Sequence, residues 1–319
     1  MSNPEGSAAQ TEQRAQLILA HLVKETLKEK KRSRRWSIFW RCLIFGYLTI
    51  AFVLWALSMA GKLPMGMASG KHTAVVNVHG VIADGEIASV DPVIDSLEAA
   101  LEDNGTVGVI LDINSPGGSP VQSGIIYAEI QRLRAEHPDI PIHAVVGDIA
   151  ASGGYYIAAA AENIYADQAS IVGSIGVRMD SFGAVEALDK LGIERRLLTA
   201  GEYKGLADPF LPVDSAVNEH LTDMLETVHN QFINAVKIGR GDRLVEDNDV
   251  FSGLIWSGEQ ALKKGLVDQL ADRRQVAREV FEAERLVDFT YQPDFASTVA
   301  RRLGASFGAT IKQWFQFSW

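Results

Sequence analysis

A serine stands among small residues in the segment AASGGYYIA, residues 150–158. The segment follows a predicted strand, and Ser152 would lie at or near the first turn of an alanine-rich helix. There its hydroxyl could simply cap the helix. It could also act as a nucleophile, since the small neighbours leave room for a substrate and the Gly153 N–H could stabilise a developing negative charge. The segment alone leaves both interpretations open.

A nucleophilic hydroxyl needs a base, and Lys204 in the loop segment GEYKG is the candidate. A loop lysine is ordinarily solvated and charged, but a lysine desolvated in an apolar cleft can become a usable base. A serine–lysine pair is one variant of the nucleophile-and-base arrangement. Ser174, in the segment GSIG, supplies a second hydroxyl that could accept a hydrogen bond from the lysine.

The histidines offer no equivalent base. No His–Asp pair stands out, and none of the scattered histidines lies in a glycine-rich turn, so we interpret them as surface or packing residues. They are His137, His143, His220 and His229.

Two glycines end the segment NSPGG, residues 114–118, which follows a predicted buried strand and precedes a predicted helix. Such a turn can expose backbone N–H groups, including that of Gly118, to an anion or an oxyanion. A plain turn would explain the segment equally well.

These segments must be positioned by an alternation of strands and helices over residues 74–284. The predicted strands are Ala74–Val78, Val107–Ile113, Ile140–Val146, Ile164–Ala166, Ile171–Val172 and Arg195–Leu198. The predicted helices are Pro92–Leu101, Val121–Glu136, Ala151–Ala161, Ala216–Ile238, Gly258–Lys264 and Arg273–Glu284. This alternation predicts an α/β domain with a mostly parallel sheet and right-handed crossovers.

The N-terminal part of the chain has a different character. Residues 1–41 carry nine basic and four acidic residues, and residues 42–61 form an uncharged apolar run of 20 residues. A helix of that length would cross a bilayer core, with the preceding basic residues retained in the cytoplasm. A buried core helix and a cleaved secretory signal are the alternatives; a secretory signal would usually have a shorter apolar region.

The expected domains are therefore a basic cytoplasmic segment at 1–41, a transmembrane helix at 42–61, a catalytic domain at 62–290 and a C-terminal segment at 291–319. Residues 10–31 read as a short amphipathic helix. In the C-terminal segment an apolar residue recurs every four positions from Phe295 to Phe315, which predicts an amphipathic helix. That helix could pack on the protein itself, on a membrane surface or on another protomer.

Composition excludes some classes of function. The net charge of −10 argues against nucleic acid as the main partner. The single cysteine, Cys42, excludes an intramolecular disulfide and a Cys₄ or Cys₂His₂ zinc site. We expect no cofactor and no metal.

Five ordered segments resemble the signal peptide peptidase A family of serine proteases, which includes the SohB group. They are NSPGGS, DIAASGGYYIA, VGSIGV, TAGEYKG and SGEQALKKGLVD. The resemblance covers roughly residues 74–270 and departs from the family pattern in GLADPFLP, directly after the lysine. It implies a fold shared with the Clp protease proteolytic subunit and the crotonases.

The resemblance also implies roles for individual residues. Ser152 would be the nucleophile, Lys204 the general base and Ser174 the residue that holds the lysine amine. The backbone N–H groups of Gly118 and Gly153 would form the oxyanion hole. The substrates would be membrane-associated peptides, such as remnant signal peptides, cut after small apolar residues.

The family further implies a ring-like homo-oligomer in a bacterial inner membrane, with the catalytic domain on the outer side. Since the chain has one copy of the domain, its site is either self-contained or completed by neighbours. A crotonase-type acyl-CoA enzyme and a non-catalytic scaffold of the same fold are the competing functions.

Overall fold

The computed structural model describes residues 36–53, 55, 70–245 and 249–292. The chain divides into two compact units, Met1–Met67 and Ala68–Trp319. The amphipathic helices expected at 10–31 and in the C-terminal segment lie outside the described residues, apart from Tyr291 and Gln292.

The first unit contains one helix, α1, that is long and apolar enough to cross a membrane, among the residues described. It runs over Trp36–Val53, with a mean hydropathy of 1.6 and none of its residues buried. It begins before the predicted start at Cys42, because Trp36–Arg41 are already helical. Beyond Val53, only Trp55 of the predicted 42–61 span is described, and it too is helical.

The second unit is built on a sheet of eight strands. They are β1 His72–Ile82, β2 Thr106–Gly118, β3 Ile142–Ala151, β4 Ile164–Ala166, β5 Ile171–Gly173, β6 Ile255–Ser257, β7 Gln269–Leu270 and β8 Leu286–Asp288. The order is β6-β5-β3-β2-β1-β8, and β4 pairs with both β3 and β7. Every pairing is parallel except β5 with β6, so the predicted mostly parallel α/β sheet is confirmed.

Helices connect these strands along the chain. They are α2 Val90–Glu102, α3 Pro120–Glu136, α4 Gly153–Ala158, α5 Val185–Lys190, α6 Ser215–Arg240, α7 Gly258–Lys263 and α8 Arg273–Gln275, which continues as a π-helical turn over Val276–Val280. In β2, Val109 and Leu111 join the larger apolar core, while Ile110 joins a second cluster on the other face. Both faces of the strand are buried, which explains its nearly continuous apolar sequence.

Three predicted elements are wrong in detail. Arg195–Leu198 forms no strand; it is irregular and exposed, with no neighbouring strand to pair with. The predicted helix Arg273–Glu284 ends at Val280, since Glu282 has a φ of 51° that a right-handed helix cannot continue through. The regular part of the predicted helix Ala151–Ala161 is likewise limited to Gly153–Ala158.

A buried ion pair fastens the end of α6 to the sheet. The Arg240 side chain is fully buried and donates to both carboxylate oxygens of Asp268, at 2.8 and 2.7 Å. Burial alone would raise the pKa of Asp268, but the hydrogen bonds and charge of Arg240 hold it below its ordinary value. Asp268 also accepts from the backbone N–H of Ile164, at the start of β4.

Replacing Asp268 with asparagine is expected to lower the free energy of unfolding by about 3–5 kcal/mol, because the buried Arg240 charge would lose its counter-ion. Urea denaturation of the full chain in detergent, followed by circular dichroism, measures the loss. Glu259→Gln is the matched control: its pair with Lys263 is exposed and screened by solvent, so its loss should lower the free energy of unfolding far less. Equal losses for the two variants would contradict this role of Asp268.

A buried histidine predicts a loss of stability in acid. His143 lies on β3, stacked on Phe281 with ring centroids 5.0 Å apart, and burial lowers its pKa from the ordinary 6.5. The unfolded chain therefore binds a proton at a higher pH than the folded chain does. The contribution of the neutral His143 to the free energy of unfolding should be fully present above about pH 6.5. It should fall as the pH drops below that value, by up to about 1.4 kcal/mol per pH unit.

The variant His143→Leu should flatten this dependence between about pH 7 and pH 5. The measurement is the denaturation midpoint at a series of pH values. Above about pH 7 the free energies of unfolding of the variant and the wild type are not compared, since the prediction concerns only how each depends on pH. His220→Leu, on the exposed side of α6, should keep the wild-type slope, and an unchanged slope in His143→Leu would refute the assignment.

Candidate active site

Ser152 occupies a strained turn between β3 and α4. Its backbone has φ 51° and ψ −123°, a conformation that costs a non-glycine residue about 1–3 kcal/mol. The position is the N-cap of α4, yet the side chain makes no capping hydrogen bond. The capping interpretation of Ser152 therefore fails. The hydroxyl is carried on a sharp strand-to-helix turn, half-buried, at the carboxyl edge of the sheet.

The glycine-rich segment at the end of β2 lies directly against this turn. A Cβ on Gly117 would lie 2.8 Å from the Ser152 Cβ and from the Gly153 nitrogen, so only glycine fits. A Cβ on Gly118 would overlap the backbone of Ile82 in β1. A Cβ on Gly153 would come within 3.3 Å of the Gly118 nitrogen, so the α-carbon of Gly153 lies near the Gly118 amide.

Ser174 follows β5 in a second tight turn. Its φ is 53°, and its backbone N–H donates to the Leu254 carbonyl at 2.8 Å. The preceding carbonyl, that of Gly173, accepts from the backbone N–H of Ser152, also at 2.8 Å. The turns that carry the two serines are thus joined by a backbone hydrogen bond.

These residues share one cavity of about 1180 Å³, lined by Ser152, Ser174, Gly118 and Gly153 among others. Part of its wall is aromatic: Tyr156 of α4 stacks on Phe232 of α6, with ring centroids 4.6 Å apart. Burial raises the pKa of the Tyr156 hydroxyl. Small residues of α3, Gly124 and Ala128, also line the cavity.

The structure does not bring Lys204 to the same place. Lys204 lies in the turn Gly201–Ala207, is exposed, and is absent from the described residues that line the Ser152 cavity. Its backbone N–H donates to the Gly201 carbonyl at 3.2 Å. The neighbouring Glu202 is also exposed and lines a different cavity, of about 780 Å³.

Many apolar side chains are exposed in the segment that contains Lys204, and we call this set the 179–213 surface. It includes Phe182 and Leu191, each 71% exposed, Val213 at 81% and Leu198 at 98%. Exposed apolar groups on this scale are unusual for a monomeric protein and mark contact sites.

One residue of the cavity wall was missed by the sequence analysis. His229 of α6 lines the cavity, and its Nε2 lies 3.1 Å from the Ile175 carbonyl oxygen. We had interpreted it as a packing or surface residue. Its place three residues before Phe232, on the buried side of α6, was the available signal.

The sequence matches known proteins over the same region. The model of peptidase family S49 matches residues 134–300. A putative signal peptide peptidase SppA from Enterococcus faecium is 29% identical over 248 residues, 74% of this chain and 72% of its own length. A putative protease from Synechocystis is 31% identical over 220 residues, 67% of this chain and 76% of its own length.

A protein named as a Na⁺/H⁺ antiporter, NhaA, from Brucella abortus is 43% identical over 212 residues. The match covers 65% of this chain but only 29% of that relative, so most of the relative lies outside it. The family model and the two peptidase relatives show that this chain belongs to peptidase family S49.

Proposed function

We propose that this family S49 peptidase is a membrane-anchored serine endopeptidase that uses Ser152 and Lys204 as a catalytic dyad. The observation that carries the proposal is the placement of Ser152: a strained turn holds its uncapped hydroxyl in a cavity beside two glycine amides. Strain of this kind persists where the surrounding structure requires it, as at catalytic nucleophiles.

In the proposed reaction the neutral Lys204 amine takes the proton of the Ser152 hydroxyl as the oxygen attacks the peptide carbonyl carbon. The carbonyl oxygen becomes an oxyanion, which the N–H groups of Gly118 and Gly153 stabilise. The lysine then returns the proton to the leaving amine, and an acyl-enzyme remains. Water, deprotonated by the same amine, hydrolyses that ester and restores Ser152.

The support for the oxyanion hole is local geometry. Gly153 is the first residue of α4, where backbone N–H groups have no partner within the helix. It adjoins the Gly118 amide across the Ser152 turn. Ser174 has a supporting role, in which its hydroxyl accepts a hydrogen bond from the lysine amine.

The proposed substrates are membrane-associated peptides cleaved after small apolar residues, such as remnant signal peptides. The apolar cavity wall of Tyr156, Phe232 and Ala128 suits apolar side chains, and one relative is named as a putative signal peptide peptidase. The fold we propose for the domain is that of the Clp protease and the crotonases. Its support is the parallel sheet with the candidate nucleophile between β3 and α4.

We further propose that the chain forms a ring-like homo-oligomer and that its sites are completed between protomers. The support is that Lys204 is exposed, lies outside the cavity lining, and belongs to the segment that carries the 179–213 surface. A second copy that covers this surface would desolvate the lysine.

The proposed location is a bacterial inner membrane, crossed once by the apolar run 42–61, whose described part belongs to α1, with residues 1–41 in the cytoplasm and the catalytic domain outside. The support is the apolar, unburied α1 and the excess of basic residues before it.

Covalent labelling tests the function. The full chain in detergent is treated with a fluorophosphonate probe, and mass spectrometry of the digest is expected to find the adduct on Ser152. The variant Ser152→Ala should lose labelling and hydrolysis of an alanine-rich apolar peptide. Ser252→Ala, which alters another serine of the same cavity, should retain both.

Absence of any adduct on folded wild-type protein, together with no peptide hydrolysis, would reject the serine endopeptidase. It would favour an acyl-CoA enzyme or a scaffold built on this fold.

A further inference from the structure

Helix α6 contacts both segments that carry the candidate serines. Its Phe232 ring stacks on Tyr156, four residues after Ser152, with an interplanar angle of 20°. One turn earlier on the same helix face, His229 reaches the Ile175 carbonyl, next to Ser174. The helix therefore contacts both segments and can hold the Ser174 turn in place relative to the Ser152 turn.

The direction of the His229 hydrogen bond follows from chemistry. A carbonyl oxygen can only accept, so the Nε2 atom must carry the hydrogen at the 3.1 Å contact with Ile175. The acceptor is immobile, because the Ile175 side chain is fully buried in the core. His229 itself is half-buried in the cavity wall.

The turn that His229 contacts needs outside support. Gly173 and Ser174 have φ values of 106° and 53°, and a left-handed serine is strained unless its surroundings fix it. Three hydrogen bonds do so: from the Ser152 N–H to the Gly173 carbonyl, from the Ser174 N–H to the Leu254 carbonyl, and from His229 to the Ile175 carbonyl. Of the three, only the last comes from a side chain.

We propose that His229 is a positioning residue of the peptidase, which fixes the turn at Ser174 relative to Ser152. The inference rests on the proposed function, because Ser174 matters to the reaction only if it holds the Lys204 amine. His229 acts through the backbone of Ile175. Its loss should therefore misplace the Ser174 hydroxyl and slow the chemical step while leaving peptide binding nearly unchanged.

The test compares two side chains of similar length at position 229 in the full chain. Methionine cannot donate a hydrogen bond, whereas the glutamine amide can replace the Nε2–H. We expect His229→Met to lower kcat about 10- to 100-fold with KM changed less than about twofold, since small displacements in an active site cost rates of this order. His229→Gln should recover most of the lost rate. His220→Met, on the exposed side of α6, is the matched control and should behave as wild type.

A double-mutant cycle then asks whether His229 acts through Ser174. Once Ser174→Ala has removed the hydroxyl, adding His229→Met should lower kcat by less than about twofold further. A merely structural role would give the same loss in both backgrounds. If the methionine variant does not fold, His229→Asn takes its place, because its shorter amide cannot reach Ile175.

Independent, multiplicative losses in the cycle would overturn the proposal, as would a glutamine variant no better than methionine or a methionine variant as fast as wild type. Each of these results is obtained while Ser152→Ala remains inactive, so the assignment of Ser152 as nucleophile would stand. Hydrolysis that survives Ser152→Ala would instead reject the proposed function itself.

Discussion

Replacing Lys204 with arginine is expected to lower kcat/KM for an alanine-rich apolar peptide by at least about 10³-fold, because loss of one member of a serine-hydrolase triad costs about 10⁴-fold or more. Arginine keeps the positive charge and most of the length of the side chain. A guanidinium stays protonated, however, and cannot take the proton of the Ser152 hydroxyl. Peptide cleavage followed by chromatography measures the loss, and circular dichroism establishes that the variant folds.

Lys190→Arg is the matched control for this substitution. Lys190 is an exposed lysine at the end of α5, paired only loosely with Glu186 at 3.9 Å. The variant Lys190→Arg makes the same chemical change outside the proposed dyad and should leave kcat/KM unaltered. A folded Lys204→Arg enzyme that cleaves the peptide at the wild-type rate would eliminate Lys204 as the base.

The four residues that the structure assembles were predictable from local sequence. Gly118 ends one parallel strand, Ser152 and Gly153 follow the next, and Ser174 follows the third. Strands β2, β3 and β5 are neighbours, with Ser115 opposite Ala150 and Ala151 opposite Gly173. The carboxyl ends of neighbouring parallel strands lie at one edge of the sheet, so the strand order alone brings these turns together.

The position of Lys204 could not be predicted in the same way. Its segment follows no strand: Arg195–Leu198, which we expected to pair with the sheet, is irregular, and Leu198 is almost wholly exposed. The apolar residues that suggested a strand, Leu197 and Leu198, therefore have no partners inside the described part of the chain that would bury them as a strand. An apolar sequence pattern indicates that side chains become buried, but it does not indicate whether their own chain or another molecule buries them.

The role of His229 was hidden for a different reason. Its contact is a hydrogen bond to a backbone carbonyl 54 residues away in sequence. Any residue type at position 175 offers that carbonyl, so no pair of side chains marks the contact in the sequence. Only the fold, which lays α6 against the turn after β5, discloses it.

Two inactive variants are expected to restore activity when they assemble together. Chains with Ser152→Ala lack the nucleophile, and chains with Lys204→Ala lack the base, so each preparation alone should be inactive. In a ring whose sites combine Ser152 of one protomer with Lys204 of the next, random mixing leaves both groups intact in about one quarter of the sites. Co-expression with two different affinity tags, followed by sequential purification, isolates mixed oligomers for the peptide assay.

The expected recovery is therefore up to about one quarter of the wild-type rate per site. Ser152→Ala chains mixed with chains that carry both substitutions supply the control, since no site in that mixture can hold a serine nucleophile. The reason to expect recovery is the exposure of Lys204 in the segment that carries the apolar 179–213 surface, outside the lining of the Ser152 cavity. Mixed oligomers without activity would mean that the lysine acts within its own chain. The turn Gly201–Ala207 would then have to move onto the Ser152 cavity before the serine could lose its proton.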